Sequence, residues 1–163
     1  MPAQLQAQLV SRLASFDRNF ANRAGPVAHV LIVYRANDTE SQVEATSIAR
    51  ALEELRQVGG IPARIELADF SDPAALVARC RAQRVALAYF ATGLEPEMPR
   101  LAAAFEGVDI LTVGASASHA LSGAVVGFGL EEARPKIVAN TKRARVQNVL
   151  FKAELLKLAR IVE

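Results

Sequence analysis

The chain has 163 residues, of which 52% are hydrophobic, and a formal net charge of +2. This length suits one domain with a substantial core, and the hydrophobic content excludes a disordered or low-complexity protein. Aromatic residues are only 6% and tryptophan is absent, which argues against a base-stacking platform for nucleic acid. We therefore expect a single domain over residues 1–163 with no nucleic-acid partner.

No segment approaches 18 consecutive apolar residues, so the sequence predicts no membrane-spanning helix. Polar residues such as Gln4, Arg12 and Asp17 interrupt the apolar run that a signal peptide would need. Two explanations stay open: the protein is cytoplasmic, or Met1 replaces a native leader. Cys80 is the only cysteine, so no intramolecular disulfide or cysteine zinc site can form, and its position predicts a buried thiol.

Residues 1–24 predict an N-terminal amphipathic helix, running from about residue 3 to about residue 21. Five apolar residues recur at spacings of three and four and so share one face of it: Leu5, Leu9, Leu13, Phe16 and Phe20. Such a face is typical of packing on a sheet or on a second subunit. We expect it to be a dimer or partner surface, and the protein to be a homodimer.

Residues 27–115 predict alternating strands and helices. The apolar runs 27–34, 63–68, 85–91 and 109–113 are typical of strands. Of the helices between them, the first is predicted to begin with a Ser41–Glu44 capping box and to end at Gly59-Gly60. The second is capped by Asp72 before Pro73, and the third is short, over 99–106. This alternation indicates βαβ units and a mostly parallel sheet.

Residues 123–163 predict an antiparallel hairpin followed by a long helix. The hairpin strands are 123–131 and 136–139, and Asn140 is placed as the N-cap of a helix that continues to about residue 162. Its predicted inward face consists of Val146, Leu150, Ala153 and Leu156. The whole pattern predicts a three-layer α/β fold with about five or six strands.

In an open parallel sheet, ligands bind beyond the carboxyl ends of the strands. The loops predicted there carry Arg35, Asn37, Asp38, Thr92, Gly114, Ser116, Ser118 and His119. The first loop has no glycine for a nucleotide or phosphate loop, and the third lacks the closing glycine of a GxSxG elbow. His29 is predicted to be a core residue, and His119 has no evident carboxylate to orient it. We predict a ligand cleft with Arg35 as its charge anchor, without a catalytic set, metal or cofactor.

The C-terminal third also carries a sequence pattern. A strand Leu111-Thr112-Val113 leads into a loop of small residues, Gly123 opens the hairpin, Asn140 precedes the last helix, and residues 155–159 read L-L-K-L-A. This pattern resembles that of the YfiR-like (HmsC-like) family of bacterial periplasmic regulators. Two features differ: Arg-Ala-Gly-Pro at 23–26 replaces the family's Trp-Pro pair, and the paired cysteines of some members have no counterpart.

The resemblance implies a non-enzymatic periplasmic protein that binds and restrains a membrane-bound diguanylate cyclase and so lowers cyclic-di-GMP. The absence of a cysteine pair argues against a redox switch of the kind some members have. A second hypothesis is a small-molecule sensor or solute-binding module whose site is the strand-end cleft. An unrecognised enzyme is disfavoured, because no nucleophile, base and orienting group are evident together.

Overall fold

The computed structural model describes all 163 residues, and its centre is a single eight-stranded sheet. The strands are β1 Ala28–Arg35, β2 Gln57–Val58, β3 Ile61–Phe70, β4 Leu87–Phe90, β5 Leu111–Gly114, β6 Val126–Glu131, β7 Arg134–Asn140 and β8 Arg160–Val162. Their order in the sheet is β2-β3-β1-β4-β5-β6-β7-β8. Strands β3, β1, β4, β5 and β6 are parallel, and β7 returns from β6 as an antiparallel hairpin. The predicted mostly parallel α/β fold with a C-terminal hairpin is confirmed.

Helices cover both faces of the sheet. They are α1 Ala3–Ser15, α2 Phe20–Ala24, α3 Thr39–Leu55, α4 Pro73–Ala82, α5 Met98–Phe105, α6 Ala117–Ser122, α7 Thr141–Val146 and α8 Ala153–Leu158, with a 3₁₀ turn at Glu95–Glu97. Alternate residues of β1 point to opposite faces, so Val30 and Ile32 pack with α1 and α3 while Leu31 and Val33 pack with α4 and α5. This double coverage explains why β1 reads as a continuous apolar run.

The predicted N-terminal helix is shorter than expected. Helix α1 ends at Ser15, because the chain then forms an isolated antiparallel bridge between Asp17 and Phe151. The Arg18 N–H donates to the Leu150 carbonyl oxygen at 2.8 Å, a bond that continuing the helix would prevent. Of the predicted apolar stripe, Leu13 and Phe20 are buried in the core, whereas Leu5, Leu9 and Phe16 stay partly exposed.

The predicted long C-terminal helix is wrong. Asn140 does cap α7, accepting from the Arg143 N–H at 3.0 Å, but the helix ends at Val146 and Asn148 adopts a left-handed conformation with φ 59°. After α8 the chain adds an edge strand, β8, parallel to β7. The predicted inward face also fails, since Leu150 and Leu156 are exposed.

Two further expectations around α3 are wrong. The cap of α3 is Asp38, whose carboxylate accepts from the Ser41 N–H at 3.0 Å, and Glu44 takes no part in a capping box. Gly59 and Gly60 do not end the helix; they have positive φ angles, 61° and 81°, and form the two-residue turn of the β2–β3 hairpin. Positive φ at both central residues is what the type I′ turn of a two-residue hairpin requires.

Candidate functional site

The ends of β1 and β4 bring the first two predicted loops together. The Arg35 guanidinium donates to the Gly93 carbonyl oxygen at 3.3 Å, and the Asp38 carboxylate lies 2.9 Å from the position that a Cβ on residue 93 would occupy. Asn37 is exposed, with φ 61°. Gly93 is therefore required between these two loops, because a side chain there would displace Asp38.

Two carboxylates outside the predicted set of ligand residues organise this edge. The Glu44 carboxylate accepts from both the Thr92 N–H, at 2.8 Å, and the Thr92 hydroxyl, at 2.7 Å. The Glu95 carboxylate accepts from the Gly93 N–H at 2.8 Å. The available signal for Glu44 was its place in the second turn of α3, which begins at the same edge of the sheet. With Asp38, three carboxylates and one guanidinium lie at this edge, so the charge balance does not favour an anion beside Arg35.

His119 is fully buried beneath this edge, and its hydrogen bonds identify its tautomer. The Ser116 N–H donates to Nδ1 at 3.2 Å, so Nδ1 carries the lone pair. Nε2 lies 3.2 Å from the Ala91 carbonyl oxygen, which can only accept, so Nε2 carries the proton. Burial lowers the pKa of His119, against the raising effect of Glu95 and the Ala91 carbonyl, and keeps the ring neutral.

Gly114 makes room for this imidazole. A Cβ on residue 114 would lie 2.0 Å from the Cβ of His119. The structure thus brings Gly114, Ser116, Ser118 and His119 into one cluster, in which the two serine hydroxyls lie 2.8 Å apart.

The serine–histidine pair does not have the arrangement of a hydrolase. The Ser116 hydroxyl lies 2.9 Å from Nδ1, but that lone pair already accepts a backbone N–H. On the other side of the ring, Glu95 is 3.9 Å from Nε2 while the Ala91 carbonyl oxygen is closer. The contacts instead form a capping box at the start of α6. No group of three or more His, Cys, Asp or Glu side chains is placed to hold a metal ion.

Two of the cavities lie away from the strand-end residues. One, which we call the α1–β7 groove, has a volume of about 280 Å³. It is lined by Leu9, Arg12, Leu13, Phe16, Pro135, Lys136, Ile137, Leu155 and Leu158. Three members of the predicted apolar stripe therefore line this groove, while Leu5 and Phe20 do not. The only charged residues that line it are cationic, Arg12 and Lys136.

Solved structures share the fold at low sequence identity. The ABC domain in complex with L-Trp from Streptococcus pneumonia aligns over 99% of this chain with a TM-score of 0.71 and 12% identity. A conserved domain protein from Vibrio cholerae aligns over 99% of the chain with a TM-score of 0.67 and 13% identity. A substrate-binding protein with adhesive properties from Clostridium difficile, in its ligand-free, open structure, aligns over 89% of the chain with a TM-score of 0.63 and 11% identity. The chain spans only 62%, 60% and 57% of these structures, in that order.

No curated protein matches the sequence. No helix is both long and apolar enough to cross a bilayer. The model of the YfiR/HmsC-like family, in contrast, matches residues 3–160, nearly the whole length and far more than the C-terminal pattern that first indicated it. This family is one of regulators rather than enzymes. The chain is a member of the YfiR/HmsC-like family.

Proposed function

We propose that this protein is a non-enzymatic periplasmic regulator that binds and restrains a membrane-bound diguanylate cyclase, and that the α1–β7 groove is its docking surface. Family membership supports the regulatory role. The observation that carries the proposal is the groove itself: it exposes apolar side chains that the fold does not cover, beside α1, whose apolar stripe predicted a contact surface.

The groove favours a partner segment with apolar side chains flanked by acidic residues. Leu158 at its edge is 60% exposed, although it lies beside the buried Leu155 and Leu13. Covering one aliphatic or aromatic side chain contributes about 1.5–3 kcal/mol, so two or three such contacts supply substantial binding energy. Arg12 and Lys136 at the same groove attract carboxylates, which adds selectivity for an acidic partner.

A second copy of this chain fits the groove less well. In a two-fold interface each patch meets itself, so Arg12 and Lys136 would face the same cations of the other copy. The homodimer stays a prediction, and we expect it to use another face. Light scattering with and without 0.5 M salt, at concentrations of roughly 10–100 μM, separates the cases, because a groove-to-groove dimer would tighten as salt screens the repulsion.

The experiment on function is genetic. Deleting the gene should raise cyclic-di-GMP, and returning the wild-type gene should lower it again. The restraint proposal fails if the deletion leaves cyclic-di-GMP unchanged. Fractionation with a periplasmic marker checks the location in the same strains.

A solute-binding module is the second candidate, supported by the fold shared with an L-Trp complex and a substrate-binding protein. For this role the predicted strand-end residues Arg35, Asn37, Asp38, Thr92 and the Ser116–His119 turn would contact the ligand. Unchanged cyclic-di-GMP together with a tight ligand at this edge would favour the module. Turnover that is lost on Ser116→Ala would contradict both roles.

A further inference from the structure

A second cavity opens at the opposite edge of the sheet, where the strands begin. We call it the arginine cavity; it has a volume of about 330 Å³. It is lined by Asn22, Arg23, Cys80, Arg81, Arg84, Val85, Val108, Asp109 and Ile110. Three of these residues are arginines and one is an acid, which is the reverse of the charge balance at the strand-end edge.

The three arginines differ in the number of hydrogen bonds and ion pairs that their guanidinium groups make. Arg23 is fully engaged: Nη1 donates to Asp17 at 2.8 Å, Nε to Asp109 at 2.9 Å, and Nη2 to the Asn148 carbonyl oxygen at 3.0 Å. The bond from Arg23 Nε also compensates the charge of Asp109, the only acidic residue that lines the cavity. Arg81 and Arg84, by contrast, make no side-chain hydrogen bond or ion pair within the chain. Two guanidinium groups are thus free to bind an anion.

The backbone conformation of Arg84 decides which variant can test its side chain. Helix α4 ends in a motif in which the Val85 N–H donates to the Cys80 carbonyl and the Arg84 N–H to the Arg81 carbonyl. The residue at this place is left-handed, here with φ 53°, and glycine is the residue that adopts it without strain. An arginine at this position lowers stability by about 1 kcal/mol relative to glycine. Arg56, which does not line the cavity, has the same conformation, so this strain does not itself indicate a ligand; it makes Arg84→Gly a substitution that the fold tolerates.

Apart from the amide of Asn22, the remaining wall is apolar, and all of it is uncharged. Val85, Val108 and Ile110 are buried and present hydrocarbon to the cavity. Burial raises the pKa of the Cys80 thiol to about 12, so the thiol is neutral and does not repel an anion.

We propose that the arginine cavity binds a small ligand consisting of a compact apolar body and a phosphate or carboxylate group, held by Arg81 and Arg84. The volume lies at the small end of the range for ligand pockets, about 300–1,000 Å³. Both anions accept hydrogen bonds from guanidinium groups, and the bonds are strengthened by the opposite charges. This site does not depend on the proposed partner or on the α1–β7 groove.

The test is a titration followed through backbone amide NMR signals at constant ionic strength, with inorganic phosphate in one arm and succinate in the other. We expect saturable shifts at Val85, Val108 and Asp109. Saturation by phosphate alone identifies a phosphoryl ligand, and saturation by succinate alone a carboxylate. If neither probe saturates, or if shifts spread over arginines across the whole surface, the proposal is overturned.

Variants keep the test specific. Arg84→Gly removes one guanidinium and relieves the backbone strain, so the protein stays folded while probe affinity falls about tenfold or more. Arg81→Gln should have a similar effect. The matched control is Arg56→Gly, because Arg56 is also exposed, left-handed with φ 61° and at a helix C-terminus, but does not line the cavity. Equal weakening by Arg56→Gly and Arg84→Gly would refute the site.

Discussion

Replacing Asp17 by asparagine tests the contact at which the two ends of the chain meet. The Asp17 side chain is 0% exposed. Its carboxylate accepts from Arg23 Nη1 at 2.8 Å, the Asn19 N–H at 3.0 Å and the Leu150 N–H at 3.1 Å. Asparagine has the same shape but no charge, so the substitution leaves the Arg23 guanidinium, 4% exposed, without its buried counter-ion.

The expected loss is large. Removing one partner of a buried ion pair costs about 3–5 kcal/mol, because the remaining charge is left desolvated and uncompensated. For a domain of this size that corresponds to a decrease in Tm of roughly 6–20 °C. Asp109→Asn is the matched control: its carboxylate bonds to the same arginine at 2.9 Å but is 55% exposed, and exposed pairs contribute about 1 kcal/mol or less.

Urea denaturation followed by circular dichroism measures both variants. A double-mutant cycle with Arg23→Gln isolates the pair, and we expect the double variant to lose less stability than the sum of the single variants. If Asp17→Asn and Asp109→Asn cost the same, the buried pair does not hold the two ends together and this account of the broken terminal helices is wrong.

Three further predictions concern buried groups. Burial lowers the pKa of His119 below 6.5, the ordinary value for histidine. The free energy of unfolding should therefore decrease as the pH drops below 6.5, by at most about 1.4 kcal/mol per pH unit. His119→Gln should remove this contribution in urea titrations between pH 7.5 and 5; an unchanged slope would refute it. Gly114→Ala should destabilise by about 1–3 kcal/mol or more because of the clash with His119, whereas Gly129→Ala, with its nearest contact at 3.5 Å, should cost less in the same assay. Since burial raises the pKa of Cys80 to about 12, iodoacetamide at pH 8 should alkylate it only in urea, as seen by mass spectrometry; rapid labelling of the folded protein would contradict this.

Features that depend on neighbouring residues were predictable from the sequence. The four parallel strands identified by their apolar runs, the Asp72 cap before Pro73 and the Asn140 cap all form as expected, because each depends on local pattern or local hydrogen bonds. The break in the last helix was not predictable. The Leu150 N–H bonds to a carboxylate 133 positions earlier, and this contact overrides a sequence with good helix propensity.

The same distinction holds for the candidate site. The edge of the sheet could be placed from the strand ends, and the structure does gather Arg35, Asp38 and the Ser116–His119 turn there. The carboxylate of Glu44 could not be assigned to this edge from the sequence, because it bonds to Thr92, 48 positions away, and its sequence context fits a local capping box equally well. Only one wall of the α1–β7 groove, the apolar stripe of the first helix, was predicted from the sequence. The other wall comes from β7 and α8.

The most direct test of the central claim compares two leucine variants in cells that lack the chromosomal copy of the gene. Leu158 lines the α1–β7 groove and Leu121 lies on α6 away from it, and both are 60% exposed, so neither change to glutamate should unfold the protein. Cyclic-di-GMP should be lowered by the wild-type protein and by Leu121→Glu, but should stay high with Leu158→Glu at equal protein levels. Restraint by Leu158→Glu equal to that by Leu121→Glu would contradict the claim that this regulator acts through the groove.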